Sequence, residues 1–170
     1  MKFAIGADHR AAEVREHLAR FLEQIGHQAL TMGQCAADKP CDYPDSAYTV
    51  ATAVAQGKAD MGILICGTGI GMSIAANKVD GIRAALVHDE IGADMSRRHN
   101  DANVLCLSAD MLGLRIIDRI VKIWVDTPFE GGRHAKRVAK ITAIEQGQDP
   151  SGVQAGVQAS ATATSTAAAS

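Results

Sequence analysis

Residues 61–66, Met61-Gly62-Ile63-Leu64-Ile65-Cys66, form an almost unbroken apolar run that stops at a glycine-rich turn, Gly67-Thr68-Gly69-Ile70-Gly71. A run of this kind suits a central strand of a parallel sheet, because both of its faces must be covered by other elements. The surrounding chain supplies that cover. Residues 3–5 read as a short buried strand, followed by Val14, Leu18, Phe21, Leu22 and Ile25 at helical spacing, with Gly26 as the stop. Residues 28–32 read as a strand. A turn at 42–46 leads into Ala47, Val50, Ala51 and Val54, again at helical spacing, ended by Gly57. Residues 72–77 are expected to form a short helix, 84–87 and 104–107 two further strands, and 90–98 a polar helix between them. Ile117, Ile120, Val121 and Trp124 mark the last packed helix of the core. Five strands alternating with helices predict a three-layer, Rossmann-like α/β fold with a parallel sheet. Right-handed crossovers then put the functional loops at the carboxyl ends of the strands. Asp8-His9, residues 67–71 and Asp89 fall at such ends.

With 170 residues the chain has room for one domain and a sizeable core. A helical unit follows Pro128, spanning 132–146, and residues 151–170 carry no charged side chain, only Ala, Ser, Thr, Gln, Gly and Val. Low-complexity sequence of that kind buries little and is expected to be disordered. The division is therefore a domain over 1–148 and a tail over 149–170. A formal net charge of -2 excludes a broad basic surface for nucleic acid or anionic membrane, and 4% aromatic residues argue against base-stacking platforms. Any anion site must be local. The N-terminus runs directly into a strand, and no stretch is long and apolar enough to span a bilayer, so a cytoplasmic protein without membrane partners is expected. Cys35, Cys41, Cys66 and Cys106 form no C-x-x-C pair and are expected to be reduced.

The glycine turn is an anion-binding element. Glycines after a strand let backbone N–H groups converge, and the next helix contributes its positive end. Three specific uses fail against the residues present. A Walker loop requires Gly-Lys-Ser/Thr, but the next lysine is Lys78. A dinucleotide fingerprint requires glycine at position 72, where Met72 stands. A cysteine phosphatase loop requires an arginine to hold phosphate in bidentate fashion, and Met72 again excludes it. What remains is a small hole suited to a developing oxyanion, an enediolate or a phosphate.

Cys66 directly precedes that hole. A buried core cysteine is one reading. Its position at a strand end, facing a helix N-terminus, favours a functional thiolate instead. His99, in His99-Asn100-Asp101-Ala102-Asn103, can exchange a proton at a sugar oxygen, or it can close a helix in a polar turn. Spacing leaves the two readings balanced, and Asp8-His9 faces the same choice. His17 and His27 are expected at the surface. Arg133 and Arg137 share one helix face and could clamp a phosphate, although a solvated basic face that includes Lys136 and Lys140 is the simpler account of that spacing. No His and carboxylate set has zinc-ligand spacing, so neither metal nor other cofactor is expected.

Taken in order, Gly6-Ala7-Asp8-His9, Asp42-Tyr43-Pro44, Ile63-Leu64-Ile65-Cys66-Gly67-Thr68-Gly69-Ile70-Gly71-Met72-Ser73-Ile74-Ala75-Ala76-Asn77-Lys78, Gly81-Ile82-Arg83-Ala84, Ser96-Arg97-Arg98-His99-Asn100-Asp101-Ala102-Asn103-Val104, Glu130-Gly131-Gly132-Arg133-His134 and Ile141-Thr142-Ala143-Ile144-Glu145 make up one set. That set resembles the type B ribose-5-phosphate isomerases and the related galactose-6-phosphate isomerase subunits. The resemblance runs to about Gln146. It implies an aldose–ketose isomerase for ribose 5-phosphate and ribulose 5-phosphate, in which Cys66 moves a proton between neighbouring carbons. It implies that Thr68 and the loop residues Gly67, Gly69, Ile70 and Gly71 hold the enediolate, and that His99 opens the sugar ring. By the same resemblance Asp8, His9 and Asn100 bind substrate, and Arg133 and Arg137 grip its phosphate. The family is also similar in forming homodimers, sometimes paired into tetramers. The helix over 132–146 is therefore expected to pack across a dimer.

One departure stands out. Many relatives place a phosphate-touching arginine two residues after the end of strand five, where this chain has Ser108-Ala109-Asp110. A carboxylate there repels phosphate unless Asp110 turns away or pairs with Arg133 or Arg137. The same chemistry on a hexose 6-phosphate, a tetrose phosphate or an unphosphorylated sugar is the alternative that this position raises. A phosphate- or nucleotide-sensing module without catalysis has only the glycine turn to support it.

Overall fold

Alternate residues along the strands divide the interior into two cores. Phe3, Ile5, Ala7, Ile63, Ile65, Leu105 and Leu107 point to one side of the sheet, and Ala4, Leu64, Cys66, Val104 and Cys106 to the other. The computed structural model describes residues 1–33 and 41–153. Its strands are β1 (Lys2–Ala7), β2 (Gln28–Thr31), β3 (Met61–Cys66), β4 (Ala84–Leu86) and β5 (Val104–Ser108). They pair in parallel in the order β2-β1-β3-β5-β4, as the α/β reading requires.

The first side is covered by α1 (Ala12–Gln24), α4 (Glu90–Asn100) and α5 (Leu114–Asp126), which contribute Leu18, Leu22, Ala93, Ile117, Ile120, Val121 and Trp124. The second is covered by α2 (Tyr43–Ala55) and α3 (Ile70–Ala76), through Ala47, Val50, Ala51, Met72 and Ala76. Each fully buried Leu, Ile or Val contributes roughly 1.5–3 kcal/mol relative to an exposed side chain. Helix boundaries follow local chemistry. Pro44 sits in the first turn of α2, where a missing N–H costs nothing. The Asp89 carboxylate accepts the Gly92 N–H at 2.6 Å and caps α4. Arg97, Arg98 and His99 fill the last turn of α4, at the negative end of its dipole. That helix ends on Asp101, which has φ 48° and whose carboxylate is held by Arg83 at 3.1 Å and Arg97 at 2.9 Å.

The order of the strands positions the site. The chain moves from β1 outward to β2, then returns across β1 to β3, so the loops after β1 and β3 leave the sheet in opposite directions and open a crevice between them. The Asp8 N–H donates to the Ile65 carbonyl at 3.2 Å, which brings the two loops side by side. The loop after β5 closes the third side: Ala109 and Asp110 donate their N–H groups to the carbonyls of Cys66 (2.9 Å) and Gly67 (3.0 Å).

The described residues fall into two compact units, the first ending at Gly131 and the second starting at Gly132. In the second unit α6 (Arg133–Glu145) leads to a short 3-10 turn at Pro150–Gly152. Asp149 caps that turn, and its bonds from the Ser151 backbone and side chain hold its carboxyl below the ordinary range. The tail from 154 onward lies outside the described residues, as does Cys35.

Two expectations change. His17, expected at the surface, is half-buried and joins α1 to α5 through a 2.7 Å contact with Asp118, a partner 101 residues away that helical periodicity does not reveal. Cys66 and Cys106 are free thiols, but Cys41 is disulfide-bonded rather than reduced. Cysteine spacing shows no sulfur geometry, so this pairing was not legible beforehand.

Candidate active site

A cysteine at the end of a buried strand is usually enclosed, and Cys66 is only 5% exposed. Its sulfur nevertheless meets the turn beyond it. The Gly69 N–H donates to Cys66 Sγ at 3.1 Å, a contact that strengthens when sulfur carries negative charge. This geometry depends on glycine at 69. The residue has φ +76°, and a Cβ there would lie 2.6 Å from Leu86 Cδ1 and 3.0 Å from the Leu107 carbonyl oxygen. Helix α3 starts directly after it at Ile70, two residues earlier than the apolar pattern suggests.

Thr68 is exposed on the outer side of the turn, and its hydroxyl oxygen accepts the Ile70 N–H at 3.3 Å. With the oxygen engaged as acceptor, the hydroxyl hydrogen remains to donate toward a ligand. Tyr43, at the start of α2, lies against the next glycine. A Cβ on Gly71 would fall 2.5 Å from Tyr43 Cε2 and Cζ. Tyr43 is thus a wall of the loop that sequence reasoning did not place in the site. The only signal for it was its membership of the Asp42-Tyr43-Pro44 motif.

Asp8 is nearly buried, and its carboxylate accepts the Arg10 N–H at 3.0 Å, fixing the turn that carries the exposed His9 and Arg10. From β5, the buried Ser108 donates its hydroxyl to the Gly67 carbonyl at 2.6 Å and accepts the Met111 N–H at 3.1 Å. Asp110 is paired with Arg10 of the loop after β1. Its Oδ2 takes a 2.8 Å ion pair from Arg10 Nη2, and the pair lies over Gly67, whose Cβ position is 2.8 Å from Asp110 Oδ2 and 3.2 Å from Arg10 Nε. Arg10 and Ser108 are both absent from the sequence-derived set of site residues.

The structure therefore gathers Asp8, His9, Cys66, Gly67, Thr68, Gly69, Ile70, Gly71 and Asp110 around one crevice. It does not gather His99 and Asn100 with them. The Gly62 N–H donates to the Asn103 carbonyl at 2.9 Å, so the turn after α4 lies level with the start of β3. Cys66 is four residues farther along that strand, roughly 13 Å away. Within a single chain His99 and Cys66 stand at opposite ends of the sheet, and His99 Nε2 is 3.9 Å from Glu130 Oε2. Arg133 and Arg137 share a face of α6 in the second unit. With Gly132, Lys136 and Lys140 they line a hollow of about 570 Å³.

Behind Cys66, on the neighbouring strand, lies Cys106. Burial pushes its thiol far above the ordinary cysteine range, and the nearby Cys66 raises it further. Cys106 is therefore a neutral packing group rather than a second reactive thiol.

The chain matches the family described as Ribose/Galactose Isomerase over residues 3–141. Ribose-5-phosphate isomerase B of Escherichia coli is 45% identical over 145 residues, covering 85% of this chain and 97% of that protein. A D-erythrulose-4-phosphate isomerase of Pectobacterium atrosepticum is 44% identical over 148 residues, 85% of this chain and 95% of that protein. The structure of ribose-5-phosphate isomerase B from Mycoplasma genitalium with bound ribulose-5-phosphate superposes with a TM-score of 0.82 at 39% identity, covering 85% of this chain and 96% of that one.

Proposed function

This chain belongs to the Ribose/Galactose Isomerase family, and from that premise we propose that it interconverts ribose 5-phosphate and ribulose 5-phosphate by proton transfer at Cys66. The observation that carries the reading is the placement of the Cys66 sulfur, next to the strand crossover and 3.1 Å from the Gly69 N–H. Acting as thiolate, Cys66 takes the proton from C2 of the open-chain aldose. The C–H electron pair becomes the C1=C2 bond and the carbonyl pair moves onto O1, giving an enediolate. Cys66 then returns the proton to C1, while the O2 hydroxyl proton passes to O1, leaving O1 as the hydroxyl and O2 as the ketone oxygen.

Negative charge develops on the two enediolate oxygens, so donors aimed there lower the barrier selectively. Thr68 supplies its hydroxyl hydrogen, and Gly67, Gly69, Ile70 and Gly71 supply the backbone of the hole. Asp8, His9 and Asn100 hold sugar hydroxyls, and Arg133 and Arg137 hold the phosphate. His99 opens the ring. Because the turn after α4, which follows His99 and Asn100, lies level with the start of β3 and roughly 13 Å along that strand from Cys66 within one chain, a second copy supplies them. The working form is then a homodimer, or a pair of such dimers, with α6 packing across it in the cytoplasm.

A second substrate has a specific observation in its favour. The erythrulose-4-phosphate isomerase of Pectobacterium is as similar to this chain as the ribose-5-phosphate isomerase of Escherichia coli, and a carboxylate stands at Asp110. A tetrose phosphate is therefore the alternative. Conversion of ribose 5-phosphate, D-erythrulose 4-phosphate, galactose 6-phosphate and free ribose, followed by proton NMR, separates them. General-base catalysis contributes roughly 10²–10⁴-fold, so Cys66→Ala should lose that factor while keeping its fold by circular dichroism. Normal turnover in that variant rules out Cys66 as the base, and a wild type inert toward every sugar phosphate rules out the function.

A further inference from the structure

The Arg10–Asp110 pair has no role in the chemistry described above, yet it lies one residue from the base. Both side chains are about half exposed, and a surface pair of this kind contributes only about 0–1 kcal/mol to stability. Stability is a weak reason for its place. The geometry is more informative. Asp8 fixes the Arg10 backbone at 3.0 Å, and Asp110 fixes one terminal nitrogen at 2.8 Å. The guanidinium is thereby laid across Gly67 at the open end of the crevice, with Nε 3.2 Å from the Gly67 Cβ position.

An arginine has five N–H donors in a planar fork, and one bond to Asp110 leaves the others to bind a second anion. A carboxylate alone at position 110 would repel an incoming phosphate, whereas a carboxylate that orients an arginine turns the same spot into an anion-binding edge. From this geometry, and resting on the isomerase reading, we propose that Arg10, oriented by Asp110, contacts the anionic end of the substrate and sets which chain length places its reacting carbons at Cys66. Arg10 is the specificity-determining contact and Asp110 is its positioning residue. Because the cation is anchored at both ends, removing one carbon from the sugar shifts the phosphate relative to a fixed point.

The test is a double-mutant cycle read as KM and kcat on ribose 5-phosphate, D-erythrulose 4-phosphate and free ribose, together with calorimetric titration of inorganic phosphate. Arg10→Ala should raise KM for the preferred phosphorylated sugar at least tenfold, change kcat less than threefold and leave free ribose unaffected. Arg10→Lys should recover part of the loss. Asp110→Ala should raise KM in the wild-type background but lower it in Arg10→Ala, where the unpaired carboxylate only repels. Equal KM values for wild type and Arg10→Ala, or equal effects on phosphorylated and free sugars, overturn the proposal. Effects of Asp110→Ala that keep the same sign in both backgrounds overturn the positioning role. If the wild type isomerises nothing, the function fails on its own. The phosphate titration still decides the anion contact, with at least fivefold weaker binding expected in Arg10→Ala and unchanged binding refuting it.

Discussion

The Ser108 hydroxyl donates to the Gly67 carbonyl at 2.6 Å, so the end of β5 holds the first residue after the candidate base. The Asp110 N–H reaches the same carbonyl at 3.0 Å, and the Met111 N–H returns to the Ser108 oxygen at 3.1 Å. Cys66 is therefore set by two strands, its own and its neighbour. Cooperative bonds of this kind fix the loop more firmly than any one contact.

Ser108→Ala breaks that link. The Met111 N–H loses its acceptor and the Gly67 carbonyl keeps only Asp110, which should cost about 1–2 kcal/mol of stability. The loop carrying the proposed enediolate donors is also released, so kcat should fall about tenfold with a smaller change in KM. Urea denaturation alongside steady-state kinetics checks both. A stability loss with unchanged kcat would show that Ser108 holds the fold and not the reacting geometry.

Cys106 gives a pH signature. Burial raises its thiol far above the ordinary range, so the folded chain keeps this proton where the unfolded chain loses it. Below the ordinary cysteine value both states are protonated and the thiol adds full stability. As pH climbs above about 9 the unfolded thiol ionises, and stability should decline by about 1.4 kcal/mol per pH unit from this group. Comparing denaturation midpoints of wild type and Cys106→Ala between pH 8 and 10.5 isolates it, because the cavity left by the substitution costs the same at every pH. Parallel curves for the two proteins would show that Cys106 is not held neutral by the fold.

How much of this was legible in the sequence depended on the range of the interaction. β3 and its turn were readable because strand, glycine and helix signals are adjacent there, and the sheet order follows from crossovers that favour one hand. Helix α3 began two residues early because Gly69 adopts a left-handed conformation that apolar spacing does not register. Arg10 and Ser108 escaped notice because their partners are 100 and 41 residues away in the chain. Asp110 was noticed, with turning away or pairing with Arg133 or Arg137 as the alternatives, but Arg10 was not among them, since a sequence shows that a carboxylate needs a cation without showing which one the fold delivers. His99 matched its motif, but the motif carried no information on which end of the sheet it occupies.

That last separation makes a quantitative prediction about assembly. If each site takes Cys66 from one copy and His99 from another, Cys66→Ala and His99→Ala homodimers each lack one group in both sites. Unfolding them together and refolding gives heterodimers in about half of the population, each with one intact site and one doubly defective site. About a quarter of wild-type activity should therefore return in the mixture, and none when the two proteins are combined without subunit exchange. Sedimentation should show the dimer in every preparation. A refolded mixture no more active than the mean of its parents would place His99 and Cys66 in sites that do not share subunits, and their placement toward opposite ends of the sheet in one chain would then have to be overcome by another movement or His99 removed from the chemistry.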